Sequence, residues 1–115
     1  MIKGYMGDVC FNGKLLKNHI IYINGNRKIE KIAPFISECE GVILCDNILL
    51  VVNEGVEASQ EKIRALKDEY NNSESYSVFF ESLSYSQYGA KEIKEGITFI
   101  ELDNTKPLCQ EDDCL

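Results

Sequence analysis

The stretch Gly41–Val52, with the sequence GVILCDNILLVV, decides the fold class of this chain. Gly41–Cys45 and Ile48–Val52 are apolar at successive positions, so both faces of each segment need burial, which is typical of interior strands. Between them, the Asp46-Asn47 pair has side chains that favour a turn. The pattern therefore predicts two central strands joined by a tight turn.

Shorter strand patterns lie on both sides of this centre. Upstream, Asp8–Phe11 and Leu15–Ile23 flank Asn12-Gly13, a dipeptide that favours a hairpin turn. Arg27–Ala33 then alternates polar and apolar residues, which is typical of a strand with one solvated face. Near the other end of the chain, Ile97–Leu102 is rich in β-branched and aromatic residues and predicts a late strand.

The segment after the central strands predicts one helix. Within Glu57–Tyr70, residues that can line a buried face recur at spacings of four, three and four, namely Ser59, Ile63, Leu66 and Tyr70. The next segment, Tyr76–Tyr88, has both alternating and helical spacings, and the alternation favours a short strand or an irregular segment.

These elements predict one domain over residues 1–115 with mostly β structure. We expect a β-sandwich or β-roll with one inserted α-helix, and an α+β fold is the alternative. Residues 1–53 form the N-terminal β segment, residues 54–88 the helix and aromatic insert, and residues 89–115 the C-terminal strand and acidic tail. The two ends of the chain should pair in the same sheet system.

Charge and hydropathy exclude several kinds of partner. The net charge is −7 and the sequence pI is about 4.7. Such a surface repels phosphate groups, so we expect neither nucleic acid nor a membrane as partner. No segment approaches the ~20 apolar residues of a membrane helix, and Met1–Tyr5 lacks the apolar region of a signal peptide. A cytoplasmic location is therefore expected.

The residues that could carry chemistry do not form a recognisable motif. Five cysteines are present without a Cys-x-x-Cys pair, and in the cytoplasm they should be reduced: Cys10, Cys39, Cys45, Cys109 and Cys114. His19 is the single histidine, and such a residue in a strand is more often structural than catalytic. The carboxylate pairs Glu38/Glu40 and Glu101/Asp103 fit polar connections better than acid–base sites. We therefore expect no catalytic residue, metal ligand or cofactor.

Aromatic residues concentrate in one short segment. Five of the eleven aromatic residues lie within thirteen positions: Tyr76, Phe79, Phe80, Tyr85 and Tyr88. Two interpretations stay open at this point. The rings may be expected to pack against the helix, or they form an aromatic surface of the kind enriched at interfaces. The second interpretation makes this set the candidate for contact with a partner chain.

The order of the strand patterns resembles the composite β-domain of the amidohydrolase superfamily. Leu16–Ile32 is similar to the opening strands of that domain, Ser37–Ile43 to its linker, and Ile48–Asn53 to the strand that enters the catalytic barrel. Tyr88–Glu101 is similar to the segment that returns the chain from the barrel. In those enzymes both chain ends build a β-sandwich, and the barrel is inserted between them.

The departures from that family decide what the resemblance implies. The two histidines of the family's metal motif correspond to Gly55 and Glu57. A barrel takes about 200 residues or more, whereas only residues 54–87 lie between the two β segments. The resemblance thus implies a non-catalytic β-domain, a binding or assembly module of unknown ligand, whose partner is a second copy or another chain. The alternatives are a small thiol- or metal-dependent enzyme, one subunit of a split hydrolase, or the product of a gene fragment.

Overall fold

A computed structural model describes residues 4–35, 41–83 and 87–102 of the chain. These residues form five strands and two helices: β1 (Gly4–Phe11), β2 (Lys14–Ile23), β3 (Ile29–Pro34), β4 (Val42–Val52), α1 (Gln60–Asn72), α2 (Tyr76–Leu83) and β5 (Thr98–Leu102). The strands make one sheet in the order β3-β2-β1-β4-β5. The expectation of a mostly β fold is therefore confirmed.

The sheet is mixed, with one parallel pair at its centre. β1 and β4 run parallel, while β1–β2, β2–β3 and β4–β5 are antiparallel. Because β5 adds to β4, strands from both ends of the chain share the same sheet. β4 is continuous over eleven residues, so the predicted turn at Asp46-Asn47 is wrong. These two residues instead belong to a bulge, where the pairing with β1 shifts register.

The sheet rolls so that its two outer strands meet at one end. The Ile29 N–H, at the start of β3, donates to the Ile97 carbonyl just before β5, with 2.8 Å between N and O. Beside it, the Thr98 hydroxyl donates to the Arg27 carbonyl at 3.0 Å. The fold is thus a rolled single sheet, which corresponds to the β-roll form of the expectation.

Two apolar clusters lie on opposite faces of the sheet, since successive strand residues alternate between faces. The inner cluster fills the roll and consists of Val9, Ile21, Ile29, Leu49, Val51, Ala90, Ile97 and Phe99. The outer cluster lies beneath the helices and consists of Cys10, Ile48, Leu50, Val52, Val56, Leu66, Tyr70, Tyr76, Phe79, Leu83 and Leu102. The alternation within Ile48–Val52 supplies both clusters, which explains why that segment is apolar throughout.

Helix α1 follows the predicted stripe but begins later than Glu57. The Ser59 hydroxyl accepts the Lys62 N–H at 3.3 Å and caps the first turn, so the helix begins at Gln60. Leu66 and Tyr70 are buried on the stripe, as the spacing predicts.

A second helix replaces the short strand or irregular segment predicted near Tyr76. Ser75 caps α2, since its hydroxyl accepts the Val78 N–H at 3.4 Å and its carbonyl accepts the Phe79 N–H at 3.1 Å. Tyr76, Phe79 and Leu83 lie on the buried face of this helix. The helical spacing that includes Phe79 and Leu83 thus outweighs the alternation. Neither helix in the described ranges has the length and apolar character to cross a membrane.

Candidate functional site

Strand β4 extends beyond the residues that β5 covers in the described part of the chain. β5 covers only Ile48–Val52, through a register that runs from Ile48 opposite Leu102 to Val52 opposite Thr98. In the first half of β4, Val42–Leu44 pair with β1 on one side. No strand among the described residues pairs with the other side of Val42–Asn47. We call this side of Val42–Asn47 the β4 edge. Its backbone offers hydrogen-bonding groups to another extended chain.

The β4 edge carries exposed apolar side chains. Leu44 is 73% exposed, the highest value for a large apolar residue in the described part of the chain, and the adjacent Ile43 is 39% exposed. Because successive strand residues point to opposite faces, these two side chains project on both sides of the sheet. A segment paired with this edge would therefore meet an apolar residue on either face.

A shallow groove lies beside Leu44. Its volume is about 280 Å³, and it is lined by Met6, Gly7, Asp8, Asn18, Leu44, Cys45 and Asp46. We call it the β4 groove.

The bulge creates this groove. Met6 pairs with Leu44 and Asp8 pairs with Ile48, so Cys45–Asn47 lie opposite the single residue Gly7. A Cβ atom at Gly7 would lie 2.8 Å from the Cys45 carbonyl oxygen, closer than such atoms approach. Glycine is therefore needed where β4 bends over β1.

The surroundings of the β4 edge are acidic. Asp8 and Asp46 line the groove, and the Asn47 side-chain amide donates to Glu101 at 3.4 Å. Burial, followed by the charges of Glu101 and Asp46, raises the pKa of the Cys45 thiol. A thiol with a raised pKa is a poor nucleophile at neutral pH.

The aromatic set divides between the core and the surface. Tyr76 and Phe79 are buried, and both pack on Tyr70 of α1, with ring centroids 6.2 and 5.2 Å away. Phe80 and Tyr88 are half-buried, and Tyr85 lies outside the described residues. Burial favours the core-packing interpretation for the first two, and contact of the set with a partner stays a prediction.

Cys10, Cys45 and His19 are the cysteines and the histidine that lie within the described ranges. Cys10 is 1% exposed, and burial raises its pKa to about 12. The His19 ring nitrogen Nδ1 lies 2.9 Å from the Lys17 carbonyl oxygen. Cys39, Cys109 and Cys114 lie outside the described residues, and so do Glu38, Glu40 and Asp103. No three His, Cys, Asp or Glu residues of the described ranges are close enough to hold a metal ion.

Glu57, which the proposed amidohydrolase resemblance would place at a metal-ligand position, forms an ion pair in this structure. Its Oε1 lies 2.7 Å from Lys28 Nζ, and the two side chains are each 30% exposed. Burial opposes ionisation of this carboxyl, but hydrogen bonds from Lys28 and the backbone, together with the charge of Lys28, outweigh it and hold the pKa of Glu57 below its usual value. The residue thus joins the β2–β3 turn to the segment before α1.

Sequence reasoning missed the β4 edge. The apolar run Val42–Leu44 predicts burial, and no local signal distinguishes it from Ile48–Val52.

Comparison of the chain with protein-family models, curated proteins and solved structures gives no match.

Proposed function

We propose that this protein is a non-catalytic β-domain that acts as a binding or assembly module, and that it contacts another protein chain through the β4 edge. The observation that carries the proposal is the exposure of Leu44 on a half-strand whose outer side has no partner among the described residues. An exposed strand edge with apolar side chains is a template for pairing with a further strand. Such an edge favours association with another chain over a monomeric state.

The chemistry of the described residues supports a binding role over an enzymatic one. The buried Cys10 thiol, with its pKa raised to about 12, is protonated at neutral pH. The Glu57 carboxylate is engaged by Lys28. Their burial and ion pairing support structural roles for these two residues.

The proposed relation to amidohydrolase composite domains rests on the way the chain is organised. The N-terminal strands and β5 share one sheet, and α1 and α2 lie between them in sequence. This is the arrangement expected of a β-domain whose large insert has been replaced by a short helical one. We also propose a cytoplasmic location, consistent with five cysteines in an acidic chain.

A photo-crosslinking amino acid placed at position 44 tests the proposed function. The full chain carrying it is irradiated in an extract of its own cells, beside a control with the same group at Ile93, which is 38% exposed in the loop before β5. We expect an adduct at position 44 and none at position 93. An adduct of twice the chain mass identifies a second copy, and an adduct with a barrel-only protein identifies a split hydrolase. Adducts at neither position, or equally at both, contradict the proposal.

A further inference from the structure

We infer that the partner of the β4 edge is an extended segment of another protein in which apolar residues alternate with lysine or arginine. This inference rests on the proposed function and adds the chemistry of the partner. It combines three observations: the extended backbone of Val42–Leu44, the apolar side chains beside it, and the charges of the β4 groove.

The backbone requires an extended partner. Pairing of a strand edge uses main-chain hydrogen bonds for affinity, and pockets for alternate side chains supply selectivity. Here the regular part of the edge ends at the bulge formed by Cys45–Asn47. A bulge limits how far a neighbouring strand can continue, so the partner segment should be short.

The groove specifies the side chain that it receives. Met6 and Leu44 form apolar walls, and Asp8 and Asp46 carry the charges, while neither lysine nor arginine lines it. Lysine and arginine have long apolar stems with a cationic end. Such a side chain can cover Met6 and Leu44 while its head group reaches a carboxylate.

The acidic residues of the β4 groove disfavour two other candidates for pairing with the β4 edge, namely the C-terminal segment of the same chain and a second copy of the protein. The chain's own residues 103–115 contain four acidic residues and one lysine. A second copy brings a net charge of −7 and the same two aspartates. Like charges placed together at an interface select against a partner. Charge complementarity therefore favours a basic segment from a different protein.

Titration calorimetry with short peptides tests this inference on the full chain. The probe is a capped ten-residue peptide of alternating lysine and valine. One control peptide alternates glutamate and valine, and the other alternates lysine and serine. We expect the Lys-Val peptide to bind, and both control peptides to bind at least about ten-fold more weakly, because each lacks one of the two required features.

Matched variants locate the binding. Leu44→Lys adds a positive charge at the edge, and Ile93→Lys adds the same charge at an exposed apolar residue elsewhere. We expect L44K to weaken binding of the Lys-Val peptide about ten-fold or more and I93K to leave it unchanged. Asp46→Asn should weaken it about three-fold, and this loss should shrink in high salt. Equal binding of the Glu-Val peptide, or equal losses in L44K and I93K, overturns the inference.

Two further measurements separate failure of the inference from failure of the proposed function. If the Lys-Val peptide does not bind but sedimentation shows a dimer that L44K dissociates, assembly through the edge stands and the basic partner is refuted. The Ile43 and Cys45 amides point to β1 in this register, whereas the Leu44 amide points away from it. If the Leu44 amide resists hydrogen exchange in the isolated monomer, the chain itself occupies the edge and both proposals fall.

Discussion

Replacement of Arg27 tests how the roll is closed. The Arg27 guanidinium carbon lies 5.6 Å from the ring centroid of Tyr5 on β1 and 5.5 Å from that of Phe99 on β5. The Arg27 backbone has φ +62°, in the left-handed region. Its carbonyl also accepts the Thr98 hydroxyl at 3.0 Å. One residue thus joins the two ends of the sheet through its side chain and its backbone.

The two contributions have opposite signs, so different substitutions separate them. A cation–π contact at an exposed site contributes about 0.5–1 kcal/mol, so two such contacts at the exposed Arg27 give about 1–2 kcal/mol. A residue with a Cβ atom in the left-handed region costs roughly 1–2 kcal/mol relative to glycine. Arg27→Ala loses the contacts and keeps the strain, so the free energy of unfolding should fall by about 1–2 kcal/mol. Arg27→Gly loses the contacts and relieves the strain, so it should stay within about 0.5 kcal/mol of the wild type.

Urea unfolding at pH 7, followed by circular dichroism, measures these differences. Arg64→Ala is the matched control, because it removes the same charge from an exposed position on α1, and it should change the free energy by less than about 0.5 kcal/mol. The expected order of stability is wild type and R27G together, then R27A. If R27A equals the wild type, or if R27G is less stable than R27A, the proposed closure by Arg27 is wrong.

Three further predictions concern other contacts. The pKa of Glu57 is lowered in the folded state, so the stability that its carboxylate contributes is complete above the unfolded pKa of about 4.3 and is lost as the pH falls through the folded pKa. The difference in unfolding free energy between wild type and Glu57→Gln should therefore be at most about 1 kcal/mol at pH 7 and should vanish near pH 2. A difference that does not change with pH contradicts the ion pair with Lys28. Gly7→Ala should destabilise the protein by about 1–3 kcal/mol, because its Cβ would lie 2.8 Å from the Cys45 carbonyl oxygen of β4. Thermal unfolding measures the change, with Gly25→Ala as the control because open space surrounds Gly25. Equal effects of the two substitutions contradict the close approach of β4 to Gly7. Cys10, with its pKa raised to about 12, should react with iodoacetamide at pH 8 about a thousand-fold more slowly in the native protein than in urea. Mass spectrometry of the labelled peptides measures both rates, and similar rates in the two conditions contradict the prediction.

The fold class could be predicted from the sequence because local patterns and burial agree along most of the chain. Ile48–Val52 is apolar at every position, and the structure buries all five residues between two clusters. The stripe on α1 is another such case, since Leu66 and Tyr70 are buried at the predicted spacing. In both segments, side-chain periodicity specifies the buried face without any knowledge of the neighbouring elements.

The second helix could not be predicted with the same security, because Tyr76–Leu83 satisfies two periods at once. Tyr76, Val78 and Phe80 alternate, while Tyr76, Phe79 and Leu83 follow the helical repeat. The capping contacts of Ser75 and the packing of two rings on Tyr70 support the helix. Tertiary contacts of this kind override a local alternation.

The β4 edge belongs to a different category, because no local property of Val42–Leu44 defines it. An apolar residue in a strand is buried only if a neighbouring element covers it, and the extent of that cover depends on the length of β5, more than forty residues away. Among the described residues, β5 pairs only with Ile48–Val52 of β4, and Leu44, which lies before this segment, is 73% exposed. Sequence patterns indicate which side chains are apolar enough to favour burial, whereas strand pairing determines which of them are buried.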